Sequence, residues 1–308
     1  MRETVGWAAE KMINEAEWLD EKTKELAINK LHHMKQTIGA SNISINVQQL
    51  DEYYGNLNFL DRDSARDLYV KIIMFQRQKD LLKCAKPETY DEVAERYRSS
   101  TNNCFYSFKN NQFDIFDAYI EFSNFYKSNV PAVVKFGKMG FVIGHETFHS
   151  FTTGIQFDEN GNRSDWFDSR SMEQFHERAK CFTDQYSAIK DLTTGINLNG
   201  TRTFSENLPD HAGLRASYFA FKQFNDEWNS TSAMQTDYTP TQLFFMSYGA
   251  AWCKKYSTGQ QQYIIITDPH SPNEYRINEV LKNVPEFAEA FKCAAGTKMN
   301  PNKRCKIW

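Results

Sequence analysis

The residues with the clearest chemistry are His145, Glu146 and His149, in the stretch Phe141-Val-Ile-Gly-His-Glu-Thr-Phe-His149. On a helix, positions i and i+4 lie one above the other, about 5–6 Å apart at Cβ. Two imidazoles so placed can reach one Zn²⁺ at about 2.0–2.1 Å, with Glu146 beside them to take a proton from an attacking water. With 7 histidines in 308 residues, a chance match to this pattern is on the order of one in a hundred. An amphipathic helix with three accidental polar residues is the plainer alternative. It fits poorly, because the apolar lead-in is where solvating residues are least expected. A catalytic zinc needs a third protein ligand and an open position. Downstream, Phe204-Ser-Glu206-Asn207-Leu-Pro-Asp210 offers two carboxylates, again at i and i+4. Glu206 is the candidate third ligand, and Asp210 the acceptor that fixes a ligand imidazole's tautomer. Taken alone, the same pair reads as acidic residues complementing the start of a helix, with Pro209 suited to a first turn.

His-Glu-x-x-His followed by Glu-Asn-x-x-Asp, Asp268-Pro-His270-Ser-Pro-x-x-x-Arg276 and a closing Cys305-Lys-Ile-Trp308 resembles the neprilysin and endothelin-converting-enzyme family of zinc metallopeptidases. The likeness starts at Trp18-Leu-Asp-Glu-Lys-Thr-Lys and runs through Phe157-Asp-Glu-Asn-Gly-Asn, Ala251-Trp252-Cys253 and Phe287-Ala-Glu-Ala-Phe-Lys-Cys293. It implies an α+β, mainly α-helical fold: a thermolysin-like peptidase domain with a small β-sheet beside the zinc helix, and one Zn²⁺ per chain. It implies that His270 donates to the oxyanion of the attacked carbonyl and that Arg276 hydrogen-bonds a substrate carbonyl. It implies that Trp252 lines the pocket after the scissile bond, although a core aromatic is an equal alternative there. Family members are more than twice as long, so the resemblance implies a membrane anchor and a helical region ahead of this chain. The partner is then a short extracellular peptide, cut on the amino side of an apolar residue. A family relative that keeps zinc and a peptide cleft but turns over weakly is the competing expectation.

Two departures motivate that competitor. On the edge strand where the family carries Asn-Ala, this chain has Asp117-Ala118, and an ionised carboxylate cannot donate the hydrogen bond an amide can. The loop that follows is also shorter by about a dozen residues, a length change loops often tolerate.

The elements that must position these residues are mostly helical. Residues 2–38 and 61–82 read as helices, while Thr101–Ile120 alternates with aromatics and reads as strands. The expected division is a helical support segment, 1–100, and a catalytic domain, 101–308. A net charge of −3 gives no basic footprint for nucleic acid, and no apolar run is long enough to span a bilayer. The N-terminus lacks the basic and apolar regions of a signal peptide. Beside the resemblance, that places any secretion or anchoring signal upstream, and the protein outside the cell or on the outer face of the plasma membrane. The six cysteines form no Cys-x-x-Cys pair. The resemblance implies a Cys181–Cys305 disulfide and upstream partners for Cys253 and Cys293. Cys84 and Cys104 are left to pair with each other or with those two. Sequons at Asn42, Asn162, Asn199 and Asn229 fit a secreted surface.

Overall fold

The segment carrying His145 and His149 is one turn-by-turn continuous helical rod. Pro131 precedes α-helical Ala132–Lys135, a π turn spans Phe136–Gly140, and α-helix resumes over Phe141–His149. The computed structural model describes residues 1–39, 42–82, 84–86, 102–122, 130–225 and 236–308. In chain order its helices are α1 (Arg2–Asn14), α2 (Glu21–His32), α3 (Asn42–Ile45), α4 (Val47–Tyr54), α5 (Ala65–Leu82), α6 (Asp117–Phe122), α7 (Ala132–Lys135) and α8 (Phe141–His149). There follow α9 (Ser169–Ser187), α10 (Gly200–Asn225), α11 (Pro240–Ala251), α12 (Thr258–Thr267), α13 (Asn273–Lys282) and α14 (Pro285–Ala290). Strands β1 (Lys35–Ile38), β2 (Cys104–Ser107) and β3 (Gln112–Ile115) form one sheet in the order β1-β3-β2.

The chain divides into two compact units. One comprises Met1–Lys35, Tyr106–Phe113 and Phe125–Trp308; the other comprises Gln36–Phe105 and Asp114–Asn124. The division is thus not a cut at one chain position, and α1 and α2 belong with the unit that holds α8.

Within that first unit, α8 and α10 lie in contact, and both are almost without side chains where they meet. A Cβ on Gly144 would sit 2.6 Å from the Gly213 carbonyl oxygen, and one on Gly213 would sit 2.4 Å from the His145 amide nitrogen. One turn back, a Cβ on Gly140 would meet Ser217 Oγ at 2.4 Å. That hydroxyl donates to the Phe136 carbonyl at 2.6 Å, adding a partner where the π turn disturbs the regular ladder. The far side of α8 rests on aromatics: Trp308 lies 5.9 Å from Phe148 and 5.5 Å from Phe151 between ring centroids. Trp18 lies 5.2 Å from Trp308, with the rings tilted by 45°, and donates its indole N–H to the Ile307 carbonyl at 2.6 Å. The implied Cys181–Cys305 disulfide is present and ties this C-terminal segment to α9.

Several expectations are corrected. Residues 2–38 are two helices and a strand, because Asp20 opens a fresh helix by accepting from the Lys22 and Thr23 amides. Pro209 lies well inside α10, which starts at Gly200 behind Asn199, whose Oδ1 accepts from the Arg202 amide. Asp117 and Ala118 are not on a strand: β3 ends at Ile115 and they open α6, where an acidic first-turn residue suits the helix dipole. Cys84 carries a free thiol, as do Cys253 and Cys293, so no Cys84–Cys104 bond forms. Asn162 and Asn199 are exposed, while Asn229 lies outside the described residues. Among the described residues, no helix is long and apolar enough to cross a membrane.

The helix contact predicts opposite outcomes for two glycine-to-alanine changes. Gly213→Ala should lower unfolding free energy by about 1–3 kcal/mol, since backbone rather than a flexible side chain must yield. Gly259→Ala, with nothing within 4 Å, should be neutral or gain up to about 1 kcal/mol. Urea unfolding of both variants checks the pair. At Asp20, the Thr23 side chain, opposed by burial and aided by Ser171, holds the carboxyl well below its ordinary range. Its contribution is therefore full above the unfolded-state value and fades as pH falls toward the folded one. Asp20→Ala should cost about 1 kcal/mol at neutral pH, and the gap to wild type should narrow in acid.

Candidate metal centre

The Gly144–Gly213 approach brings the ligand-bearing turns of the two helices face to face. His145 and His149, one turn apart on α8, meet Asp210 and Glu206, one turn apart on α10. His145 Nε2 and His149 Nε2 are 3.0 Å apart. Glu206 Oε2 lies 3.4 Å from the first and 3.3 Å from the second. A tetrahedral ion bound at about 2.0–2.1 Å requires ligand atoms separated by about 3.3–3.4 Å. The three atoms already hold nearly that spacing. Ligand atoms of Glu146 and the two histidines also lie within 4.8 Å of one another.

Charge supports the same occupant. The site is nearly dry: His145 is 5% exposed, Glu146 4%, His149 7% and Asp210 0%. Glu146, Glu206 and Asp210 are three carboxylates set against one guanidinium, Arg276. The buried Oε2 of Glu146 has no hydrogen-bond partner among the described residues, and that of Glu206 meets only imidazole nitrogens, at 3.2–3.4 Å. Such atoms are costly to bury unless a cation or proton meets them. Without a metal, protonation fills this need. Burial pulls the His145 imidazole down, but Asp210 and Glu206 outweigh it and lift its pKa to about 9. Burial also pushes Glu206 up, yet the three imidazoles around it hold it well below the carboxylate range.

The surrounding groups are each oriented. His145 Nδ1 lies 2.8 Å from Asp210 Oδ1, which fixes the proton on Nδ1 and leaves the Nε2 lone pair facing the site. Asp210 is held in turn by Arg276, whose Nε and Nη2 donate to its two oxygens at 2.8 and 2.7 Å. Burial alone would raise Asp210, but Arg276 and His145 bring its pKa down to about 2. Arg276 therefore spends two of its five donors on Asp210. Its guanidinium lies 3.9 Å from the centroid of the Trp252 ring, and Trp252 packs edge-on against Phe141 at 5.7 Å. Glu146 is pushed upward by burial, the direction that suits a proton acceptor near neutral pH.

His270 projects from the turn before α13. Its Nε2 is 3.2 Å from Glu206 Oε2, and its Nδ1 is 2.8 Å from Asp268 Oδ1. Burial lowers its pKa, but Glu206 and Asp268 prevail and the net shift is upward. Its side chain remains 41% exposed, so it borders the open side of the cluster.

The structure thus gathers His145, Glu146, His149, Glu206, Asp210, His270, Arg276 and Trp252, while Asp117 and Ala118 belong to the second unit. Two supports were missed in the sequence. Asp268 orients His270, and the Asp-x-His spacing was its signal. Asn207 accepts from Ser271 Oγ at 2.9 Å and donates to Thr203 Oγ1 at 2.8 Å, tying the turn beside His270 to α10; a neutral buried pair leaves no mark in a one-dimensional pattern.

Comparison with known proteins agrees with this geometry. Neprilysin-1 of Caenorhabditis elegans is 35% identical over 301 residues, which cover 96% of this chain and 40% of the relative. Membrane metallo-endopeptidase-like 1 of Homo sapiens is 34% identical over 308 residues, covering 96% of this chain and 38% of the relative. Among solved structures, Mycobacterium tuberculosis zinc metalloprotease Zmp1 in complex with an inhibitor matches with TM-score 0.83 and 25% identity, over 100% of this chain and 46% of that one. The Haemonchus galactose-containing glycoprotein complex matches with TM-score 0.80 and 28% identity, over 100% and 48%. The chain therefore spans about 40% of the length of these curated relatives. A family model described as Peptidase family M13 covers residues 103–307, which include every member of the cluster. The chain belongs to peptidase family M13.

Proposed function

We propose that this chain carries the catalytic centre of a zinc-dependent endopeptidase acting on short extracellular peptides, and that His145, His149 and Glu206 hold one Zn²⁺. The observation that carries the reading is the trio of donor atoms near tetrahedral spacing, with three carboxylates set against one guanidinium. The names of the relatives, a metallo-endopeptidase and a zinc metalloprotease among them, support it. When bound, zinc supplies Lewis acidity, polarising the scissile carbonyl and lowering the pKa of a water to about 7.

The chain's own residues do the rest. Glu146, buried and with an unpartnered oxygen, accepts the proton of the attacking water and passes it to the leaving amine. Asp268 holds His270 by Nδ1, so the protonated ring presents Nε2–H to the site, where it donates to the oxyanion as charge develops. Asp210 keeps His145 in the tautomer that offers Nε2, and Arg276 keeps Asp210 ionised. The donors of Arg276 that Asp210 does not use would meet a substrate carbonyl, and Trp252, packed against that guanidinium, would line the pocket for the residue after the cut, where its ring favours an apolar side chain. The edge-strand basis for giving Asp117 and Ala118 a substrate role is gone, since both are helical. The disulfide supports an oxidising compartment.

Wild type should bind one zinc and cleave a fluorogenic short peptide, with activity lost to a chelator and restored by zinc. Glu146→Gln should keep its zinc while activity falls about 10²–10⁴-fold, and His270→Phe should lose about 10²–10³-fold. Zinc content measured beside turnover decides it. A wild type that holds zinc yet is as silent as Glu146→Gln would instead mark a peptide-binding relative.

A further inference from the structure

Lys30 sits in the last turn of α2, far from the metal motif in sequence, and is 1% exposed. Its ammonium donates to three main-chain carbonyls: Ser150 at 2.9 Å, Gly154 at 2.6 Å and Phe157 at 2.6 Å. Three acceptors use all three ammonium hydrogens. The rings of Trp166 and Phe151 flank the nitrogen, with centroids at 5.3 and 6.0 Å. All three carbonyls belong to residues 150–157, the stretch that begins where α8 ends. A cation there complements the helix C-terminus, and three attachment points fix the path of the chain as it turns.

That stretch folds back onto His149. The Gly154 amide and Thr153 Oγ1 donate to the His149 carbonyl at 2.9 and 3.3 Å. Thr152 Oγ1 lies 3.5 Å from His149 Nδ1. His145 has a carboxylate at its Nδ1; His149 faces this hydroxyl. A ring held by one threonine depends on where that threonine is placed, and Lys30 anchors the residues on both sides of it.

We propose that Lys30 is a positioning residue for the metal-binding histidine His149. It clasps residues 150–157 and so sets Thr152, which orients the ring that presents Nε2 to the zinc. The proposal rests on the zinc site described above.

The test is zinc affinity, measured by competition with a chromogenic chelator, beside urea unfolding of the metal-free protein. Lys30→Met should weaken zinc binding by about 10- to 100-fold, the range for removing an outer support of a metal ligand. Lys30→Arg should recover part of that loss. Leu198→Ala truncates the separate cluster formed with Tyr186, Ile265 and Tyr275 and should lower stability while leaving zinc affinity within about twofold. Lys30→Met with wild-type affinity, or with a loss no larger than that of Leu198→Ala, overturns the proposal. If Lys30→Met does not fold, Thr152→Val decides: weaker zinc binding supports the role and unchanged binding overturns it. A wild type that takes up no zinc overturns the metal site and this proposal together. A zinc-binding wild type with an unaffected Lys30→Met overturns the role of Lys30 alone.

Discussion

Everything in the candidate metal centre depends on how closely two backbones approach at Gly144 and Gly213. A side chain at either position would collide with main-chain atoms of the opposite helix, and main chain has little freedom to yield. Because the helices run antiparallel, one close contact sets the register of the rest. Gly140 falls opposite Ser217, Gly144 opposite Gly213, His145 opposite Asp210 and His149 opposite Glu206. The short ligand separations follow from this register and need no special loop. Histidine and carboxylate side chains can span the gap only because glycine has narrowed it.

The second constraint is electrostatic. Burying three carboxylates beside one guanidinium is unfavourable unless something positive completes the group. The raised pKa of His145 and the depressed one of Glu206 are two expressions of that demand. The bidentate Arg276–Asp210 pair is the settled part of the network, while Glu146 keeps an oxygen atom without a partner among the described residues. Metal affinity and proton affinity are thus one property of this pocket, seen with different cations.

The sequence was informative where chemistry dictates spacing and silent where packing does. The i, i+4 histidines and the Glu206–Asp210 pair were readable because a metal restricts both residue type and separation. The helical character and the hairpin strands near residues 104–115 followed from periodicity. Asp117 was misplaced because a strand pattern carries no sign of where it ends, and one residue past Ile115 the backbone turns into α6. Pro209 pointed to a helix start, yet tertiary contacts hold the helix together around it. Gly213 gave no signal, since a glycine in a helical pattern looks like a weak point until its partner helix is known. Lys30 was one of three lysines on a charged helix, and only its burial against three carbonyls sets it apart.

The Cys181–Cys305 bond closes a ring with a sequence separation of 124 residues, a size for which chain-entropy estimates give about 4–5 kcal/mol of stabilisation. Glu206, Asp210, His270 and Arg276 lie inside that ring, whereas His145, Glu146 and His149 lie outside it. The covalent closure thus gathers one half of the centre, and the glycine contact sets how closely it meets the other. During synthesis the two histidines emerge first, their carboxylate partners Glu206 and Asp210 follow in a later segment, and Arg276 comes later still. Closing the Cys181–Cys305 ring then constrains the late half within itself. A reducing environment would leave the histidine helix its amino-acid ligands but loosen the scaffold that delivers the remaining one, so the thiol–disulfide state and the metal-holding capacity of the chain are thermodynamically linked.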